Sequence, residues 1–193
     1  DTGADPEGLH GAIEEADRLH AIFDAVLRIS RIEPSRHAAE FQRVDLSELL
    51  VDAVDYYQPA AEARGQSLTA AIAPGLATQG DRDLLFQAAS NLLDNAVKYT
   101  PDGGRIAVSA QGDGEGILVI VADSGPGIAE EDRGKVTERF FRAPNVDGMP
   151  GLGLGLSVAQ AIVAHHRSSL SFAPNHPGLR VEWRLKRDAV AAA

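Results

Sequence analysis

Asn91, Asn95 and Lys98 stand on a stretch whose other side is apolar, and their spacing puts two amides and an ammonium on one helical stripe. A hard cation seeks oxygen ligands, and Mg²⁺ takes one or two from protein and the rest from phosphate and water. The stripe therefore suits a magnesium–phosphate assembly. It is also what a solvated helix face looks like. Against that, Asn is a mediocre helix former, and two in mid-helix cost some stability. A second candidate is Asp123, which ends a hydrophobic run and precedes Ser124-Gly125-Pro126-Gly127-Ile128. A carboxylate emerging from a buried strand end is costly unless something hydrogen-bonds to it. An amino group such as that of adenine is a natural partner, and the glycines let backbone approach a ring closely; a plain turn is the alternative that composition alone favours. The third candidate is Gly151-Leu152-Gly153-Leu154-Gly155-Leu156, opening a helix. Exposed amides at the positive end of a helix make a phosphate cradle. A lone Gly-x-Gly-x-Gly is weak evidence; it gains weight from the helix that follows and from the long loop 129–150 that precedes it, as a lid would.

The elements that must position these residues are legible in the hydrophobic pattern. Asp81 reads as the N-cap of a helix running to Tyr99. Its apolar face is Leu85, Ala88, Ala89, Leu92, Leu93 and Ala96, and its polar face Gln87, Asn91, Asp94, Asn95 and Lys98. Thr100-Pro101-Asp102-Gly103-Gly104 stops it. Arg105–Ala110 and Ile117–Ala122 then read as a hairpin around Gly112-Asp113-Gly114. Upstream, Val44-Asp45-Leu46 reads as a short strand and Ser47 to about Ala63 as a helix burying Leu49, Leu50, Ala53, Val54 and Tyr57. Gln66–Ile72 alternates as a strand. Between Ile128 and Gly151 the pattern breaks down, apart from a short helical piece ending near Phe141; a loop of that length is usually functional. Leu154–His166 is helical, and Leu170-Ser171-Phe172 and Leu179–Leu185 are closing strands. The mixture predicts an α/β two-layer sandwich with a mixed, largely antiparallel sheet.

Before this unit, Pro6–Ile32 reads as a helix with a narrow seam of Ala12, Ala16, Leu19, Phe23 and Val26. Pro34 ends it. Such a helix docks on its own domain or forms half of a hairpin that pairs with another chain. The expected division is 1–37 for this helical segment, 38–187 for the sandwich and 188–193 for a tail.

With 193 residues, 44% hydrophobic and 24% charged, the chain is long enough to bury a core. A formal net charge of −10 argues against non-specific nucleic-acid binding, which needs a basic footprint. The absence of cysteine excludes disulfides, thiol catalysis and cysteine-ligated metals. No apolar run approaches the roughly 20 residues of a membrane span. The abrupt start reads as that of a fragment of a longer protein.

The order Asn91-Leu92-Leu93-Asp94-Asn95-Ala96-Val97-Lys98-Tyr99, Asp123-Ser124-Gly125-Pro126-Gly127-Ile128, Arg139-Phe140-Phe141-Arg142 and Gly151–Leu156 resembles the N, first-glycine, F and second-glycine boxes of the ATP-binding domain of sensor histidine kinases, members of the Bergerat-fold superfamily. The resemblance runs from about Val44 to Leu185. It implies that Asn95 holds Mg²⁺, that Asn91 and Lys98 lie near the phosphates of ATP, and that Tyr99 packs over the nucleotide. It assigns Asp123 to the adenine amine, Gly125, Gly127 and Ile128 to the adjoining wall, and Gly151, Gly153, Gly155 and Leu156 to the phosphates. Phe140 and Phe141 are expected to pin the lid to the core, with Phe141 at the nucleotide, and Arg142 to reach the γ-phosphate or steady the acceptor. ATP-hydrolysing relatives carry Glu where Asn91 stands, and Asn is no base, so the resemblance favours a kinase. It further implies phosphoryl transfer to a histidine and thence to an aspartate of a response-regulator receiver domain, a homodimer in the full-length protein, and a cytoplasmic location, with a membrane anchor elsewhere in that protein left open.

Two features depart from the pattern. The family shows His-Gly-Gly after its last long helix, where this chain has His165-His166-Arg167-Ser168-Ser169, a turn expected away from the nucleotide. Neither His10 nor His20 sits in the family's phosphoacceptor context, and His37 is read with them as a surface residue. The segment Pro6–Ile32 instead resembles the second helix of the dimerisation hairpin, with the acceptor helix missing, so the fragment is expected to bind ATP without phosphorylating itself. A Bergerat-fold ATPase or serine kinase, and an inactive nucleotide-sensing scaffold, are the alternative readings.

Overall fold

The computed structural model describes residues 41–187 apart from 115, 147, 148 and 150. The helix expected over Pro6–Ile32, with His10, His20 and His37, and the tail 188–193 lie outside the described residues.

Among the described residues, three helices and seven strands follow in the order β1 (Gln42–Asp45), α1 (Leu46–Ala63), β2 (Ser67–Ile72), β3 (Ala77–Gly80), α2 (Arg82–Tyr99), β4 (Arg105–Asp113), β5 (Gly116–Asp123), α3 (Gly155–His165), β6 (Ser169–Pro174) and β7 (Leu179–Leu185). Local chemistry sets the helix starts. Asp45 accepts from the Glu48 N–H at 3.0 Å, and Asp81 accepts from Asp83 and Leu84 N–H groups at 2.9 and 3.1 Å, meeting amides that lack helical partners. Each helix then buries one stripe: Leu46, Leu49, Leu50, Ala53 and Val54 in α1, and Leu85, Ala88, Ala89, Leu92, Leu93 and Ala96 in α2.

The main sheet has the order β2-β4-β5-β7-β6, with β2 parallel to β4 and the other pairs antiparallel. Ile106, Val108 and Ala110 of β4, and Val181, Trp183 and Leu185 of β7, alternate onto the face that meets the helices. Those side chains and the three helices form one continuous core. The predicted two-layer sandwich is what forms.

Two expectations need correction. A second small sheet pairs β1 with β3, Val44 opposite Thr78; β3 was not anticipated, because Ala77-Thr78-Gln79-Gly80 carries no alternation and becomes a strand only beside its distant partner. No helical piece ends near Phe141. The chain there turns at Phe140, whose φ is 65° and whose N–H donates to the Gly153 carbonyl at 3.1 Å, a conformation a right-handed helix cannot contain. The regular pieces of this loop are single 3-10 turns at Glu130–Asp132 and Pro144–Val146.

Helices α2 and α3 run antiparallel and touch at both ends: Gly155 lies on the Asn95 amide, and His166 accepts from the Asp81 N–H at 3.1 Å. No described helix is long and apolar enough to cross a membrane. Trp183, with 0% exposure, is the largest fully buried side chain of the core. Trp183→Ala is expected to destabilise the domain by about 3–5 kcal/mol, read as a lowered midpoint in urea with little change in slope.

Candidate functional site

A cavity of about 360 Å³ opens between α2, the start of α3, the loop 128–154 and the near ends of β5 and β7. Its size is that of a small-molecule site. Val121, Leu179 and Val181 from the sheet and Leu92 and Ala96 from α2 give it an apolar lining. Polar groups enter from two sides, and each side has its own structural reason.

On one side is Asp123, the last residue of β5, 7% exposed. Its Oδ1 accepts the Gly125 N–H at 2.8 Å and the Leu179 N–H at 3.2 Å. Burial pushes the carboxyl above its ordinary range, and the two amides partly oppose that shift. The loop between β6 and β7 buttresses this end. Asn175 Nδ2 donates to the Asp123 carbonyl at 2.8 Å, and Gly178, at φ 113°, passes so close that a Cβ there would run into the same carbonyl.

On the other side is the α2 stripe. The Nδ2 atoms of Asn91 and Asn95 are buried with no hydrogen-bond partner. An orphaned buried amide is costly unless a ligand completes it. Lys98 Nζ lies 4.9 Å from the centre of the Tyr99 ring and directly against Gly151, where a Cβ would collide with it. A Cβ on Gly155 would sit 3.2 Å from the Asn95 amide. Gly151 and Gly155 thus pack on the stripe because they carry no side chains. The residue before α3, Leu154, offers no side-chain cap to the first amides of that helix, and Gly151 to Leu156, which lead into it, line the cavity.

Of the residues singled out from sequence, Asn91, Asn95, Lys98, Tyr99, Asp123, Gly127, Ile128, Phe141, Arg142, Gly151, Gly153, Gly155 and Leu156 all line this cavity. Gly125 does not; its N–H holds Asp123. Phe140 does not pin the lid to the core: it is 55% exposed and turned outward, leaving Phe141 alone at the cavity. Arg142 borders the cavity with its guanidinium donating to the carbonyls of Val146 (2.9 Å) and Met149, within its own loop. His165 and His166 lie at the far end of α2 and do not line the site. Burial lowers the His166 pKa, opposed by the bond to the Ile162 carbonyl.

Sequence reading missed the supports. Asn175 and Gly178 brace Asp123, while Asn145 Nδ2 donates to the Gly127 carbonyl at 3.0 Å and Arg133 Nε to that of Ile128 at 3.3 Å. Nothing in their local sequence marks them. The alternation of Leu179, Val181, Trp183 and Leu185 did mark one face of β7, though not that Leu179 and Val181 line a site.

A cavity of this size, apolar along the sheet and bordered by Asp123 and by the amides and ammonium of α2, suits a small ligand of mixed polarity. Residues 80–189 match the model of the histidine kinase-, DNA gyrase B- and HSP90-like ATPase family, and the chain belongs to that family. It carries an ATP-binding domain of the sort found in sensor histidine kinases. It is 31% identical over 160 residues to the sensor-like histidine kinase SenX3 of Mycolicibacterium smegmatis, covering 82% of this chain and 42% of the relative. It is 33% identical over 179 residues to the sensor protein QseC of Escherichia coli O157:H7, covering 91% of this chain and 38% of the relative. A solved structure of the mycobacterial sensor histidine kinase MprB superposes with a TM-score of 0.69 at 31% identity, over 76% of this chain and 98% of that one. The chain thus spans less than half the length of the curated relatives named.

The raised pKa of Asp123 has a consequence for stability. The folded state holds this proton more tightly than the unfolded chain, so stability rises as pH falls from above the folded pKa toward the ordinary value of 3.8. Asp123→Asn keeps an oxygen for the Gly125 and Leu179 amides and removes the buried charge. Thermal unfolding between pH 4 and 8 is expected to show a variant at least as stable as wild type at pH 7, with its relative advantage shrinking as the pH falls.

Proposed function

We propose that this chain supplies the ATP-binding, catalytic part of a two-component sensor histidine kinase, passing the γ-phosphoryl group of Mg-ATP to a histidine on a separate helix and thence to a response-regulator aspartate. The observation that carries the reading is the pair of orphaned buried amides on Asn91 and Asn95, set with Lys98 against the glycine run across the cavity from Asp123. The relatives' names as sensor kinases support it. In this reading residues 1–37 belong to the dimerisation hairpin, 38–187 form the catalytic domain, the full-length protein is a homodimer, and the domain works in the cytoplasm.

Each residue has a defined task. Asp123 accepts from the exocyclic amine of adenine while Val121, Leu179 and Val181 exclude water around the ring. Tyr99 and Phe141 flank the nucleotide. Lys98, Asn91 and the amides from Gly151 to Leu156 hold phosphate oxygens, orienting the γ-phosphorus for in-line attack. Asn95 holds Mg²⁺ through its amide oxygen, and the ion, when bound, neutralises phosphate charge. Asn91 has no basic group with which to activate water, so ATP is kept for another acceptor. Arg142 belongs to the site through the charge it brings near the transferred group.

Calorimetric titration of ATP with and without Mg²⁺ tests the site. Binding is expected in wild type, with its magnesium dependence lost in Asn95→Ala. In Asp123→Asn an amide N–H would face the adenine amine, and affinity is expected to fall about 10- to 100-fold or more. Labelled phosphate should then pass from γ-labelled ATP to a supplied acceptor-helix fragment. No binding at millimolar ATP in the wild type would defeat the reading; binding without transfer to any acceptor hairpin would reduce it to a nucleotide-sensing domain.

A further inference from the structure

The last turn of α2 carries both Lys98 and Tyr99, and it ends in carbonyls that no helical N–H reaches. The chain leaves the helix at Thr100, with φ −72° and ψ 130°. Two residues from the turn between α1 and β2 meet these carbonyls. Gln66 Nε2 donates to the Val97 carbonyl at 2.9 Å and the Thr100 carbonyl at 2.7 Å. Arg64 Nη1 donates to the Val97 carbonyl and, at 3.2 Å, to that of Lys98. The two turns are also joined along the backbone: Gly103 N–H donates to the Arg64 carbonyl at 3.1 Å and Ser67 N–H to that of Gly104 at 2.9 Å. Arg64 Nε completes the clamp on Asp102 at 2.9 Å.

Gln66 is 4% exposed, and its Oε1 is buried without a partner. Filling that space with Leu or Met would avoid the orphaned oxygen. The side chain is therefore accounted for by its donor end, not by packing. Arg64 adds a cation at the negative end of the helix, where it is favourable. Neither residue lines the cavity. The turn they hold does more than carry Lys98 and Tyr99: its Tyr99 carbonyl abuts Gly125, where a Cβ would lie 2.8 Å away. The same turn therefore sets the spacing between the α2 stripe and the glycine turn behind Asp123.

We propose that Arg64 and Gln66 are positioning residues for the nucleotide site, holding the final turn of α2 so that Lys98 faces the phosphates and Tyr99 flanks the nucleotide. The inference rests on the ATP-binding reading above. A helix end without these donors frays within its last turn, and Lys98 is in that turn.

Arg64→Met and Gln66→Met, each alone and combined with Lys98→Ala, separate this role from a merely structural one. Arg64→Met is expected to weaken ATP binding about tenfold in calorimetry, the scale of one lost charge-assisted hydrogen bond. Arg64→Lys, which keeps a donor, should recover part of the loss. In the Lys98→Ala background the Arg64→Met effect should shrink to about twofold or less, because residues acting through one another are not additive. Equal losses in both backgrounds, or unchanged affinity in Arg64→Met, would overturn the inference while wild-type binding leaves the ATP reading standing. Should Gln66→Met fail to fold, the partly exposed Arg64 still decides. A wild type that fails to bind ATP would overturn both readings together.

Discussion

A carboxylate buried at the end of β5 is tolerable only because the chain brings two backbone N–H groups to one of its oxygens. One comes from the turn that follows at once, through Gly125. The other, Leu179, comes from the first residue of β7, and that requires β7 to lie beside β5 in the register that sets Ala122 opposite Arg180. Strand order, register and the close passage of Gly178 are thus all read out at Asp123. The residual desolvation, visible as the raised pKa, is not fully relieved by the protein.

The opposite wall follows a different rule. Helix α2 satisfies the core with one stripe and gives the cavity the other, so a single element sets both stability and site geometry. The antiparallel contact with α3 is close because Gly151 and Gly155 carry no side chains against Lys98 and Asn95. At the far end His166 fixes the start of α2 through the Asp81 amide. The two helices are therefore tied at both ends, and the glycine run is held at a defined height over the stripe.

What could be read from sequence was what is local. The α2 helix showed its N-cap, its two faces and its end at Tyr99, because an amphipathic period and a capping residue are written in adjacent positions. Sequence separation hid the rest. Strand β3 exists through β1; Asn175 and Gly178 matter only because β6 and β7 close beside Asp123; Arg64 and Gln66 look like ordinary turn residues until α2 ends next to them. Phe140 misled because an apolar residue in a recognisable motif suggests burial, whereas its left-handed backbone turns it outward.

Arg142 commits its terminal nitrogen to two carbonyls of its own loop, those of Val146 and Met149. A nucleotide that recruits this guanidinium must leave both acceptors to water or to other donors, so the gain is the difference between two sets of partners rather than the full attraction of a phosphate. Occupancy of the cavity and these two carbonyl bonds would then form one linked equilibrium, in which each biases the other by the same free energy. Weakening those bonds would be felt as a change in nucleotide affinity even where no touching atom had moved.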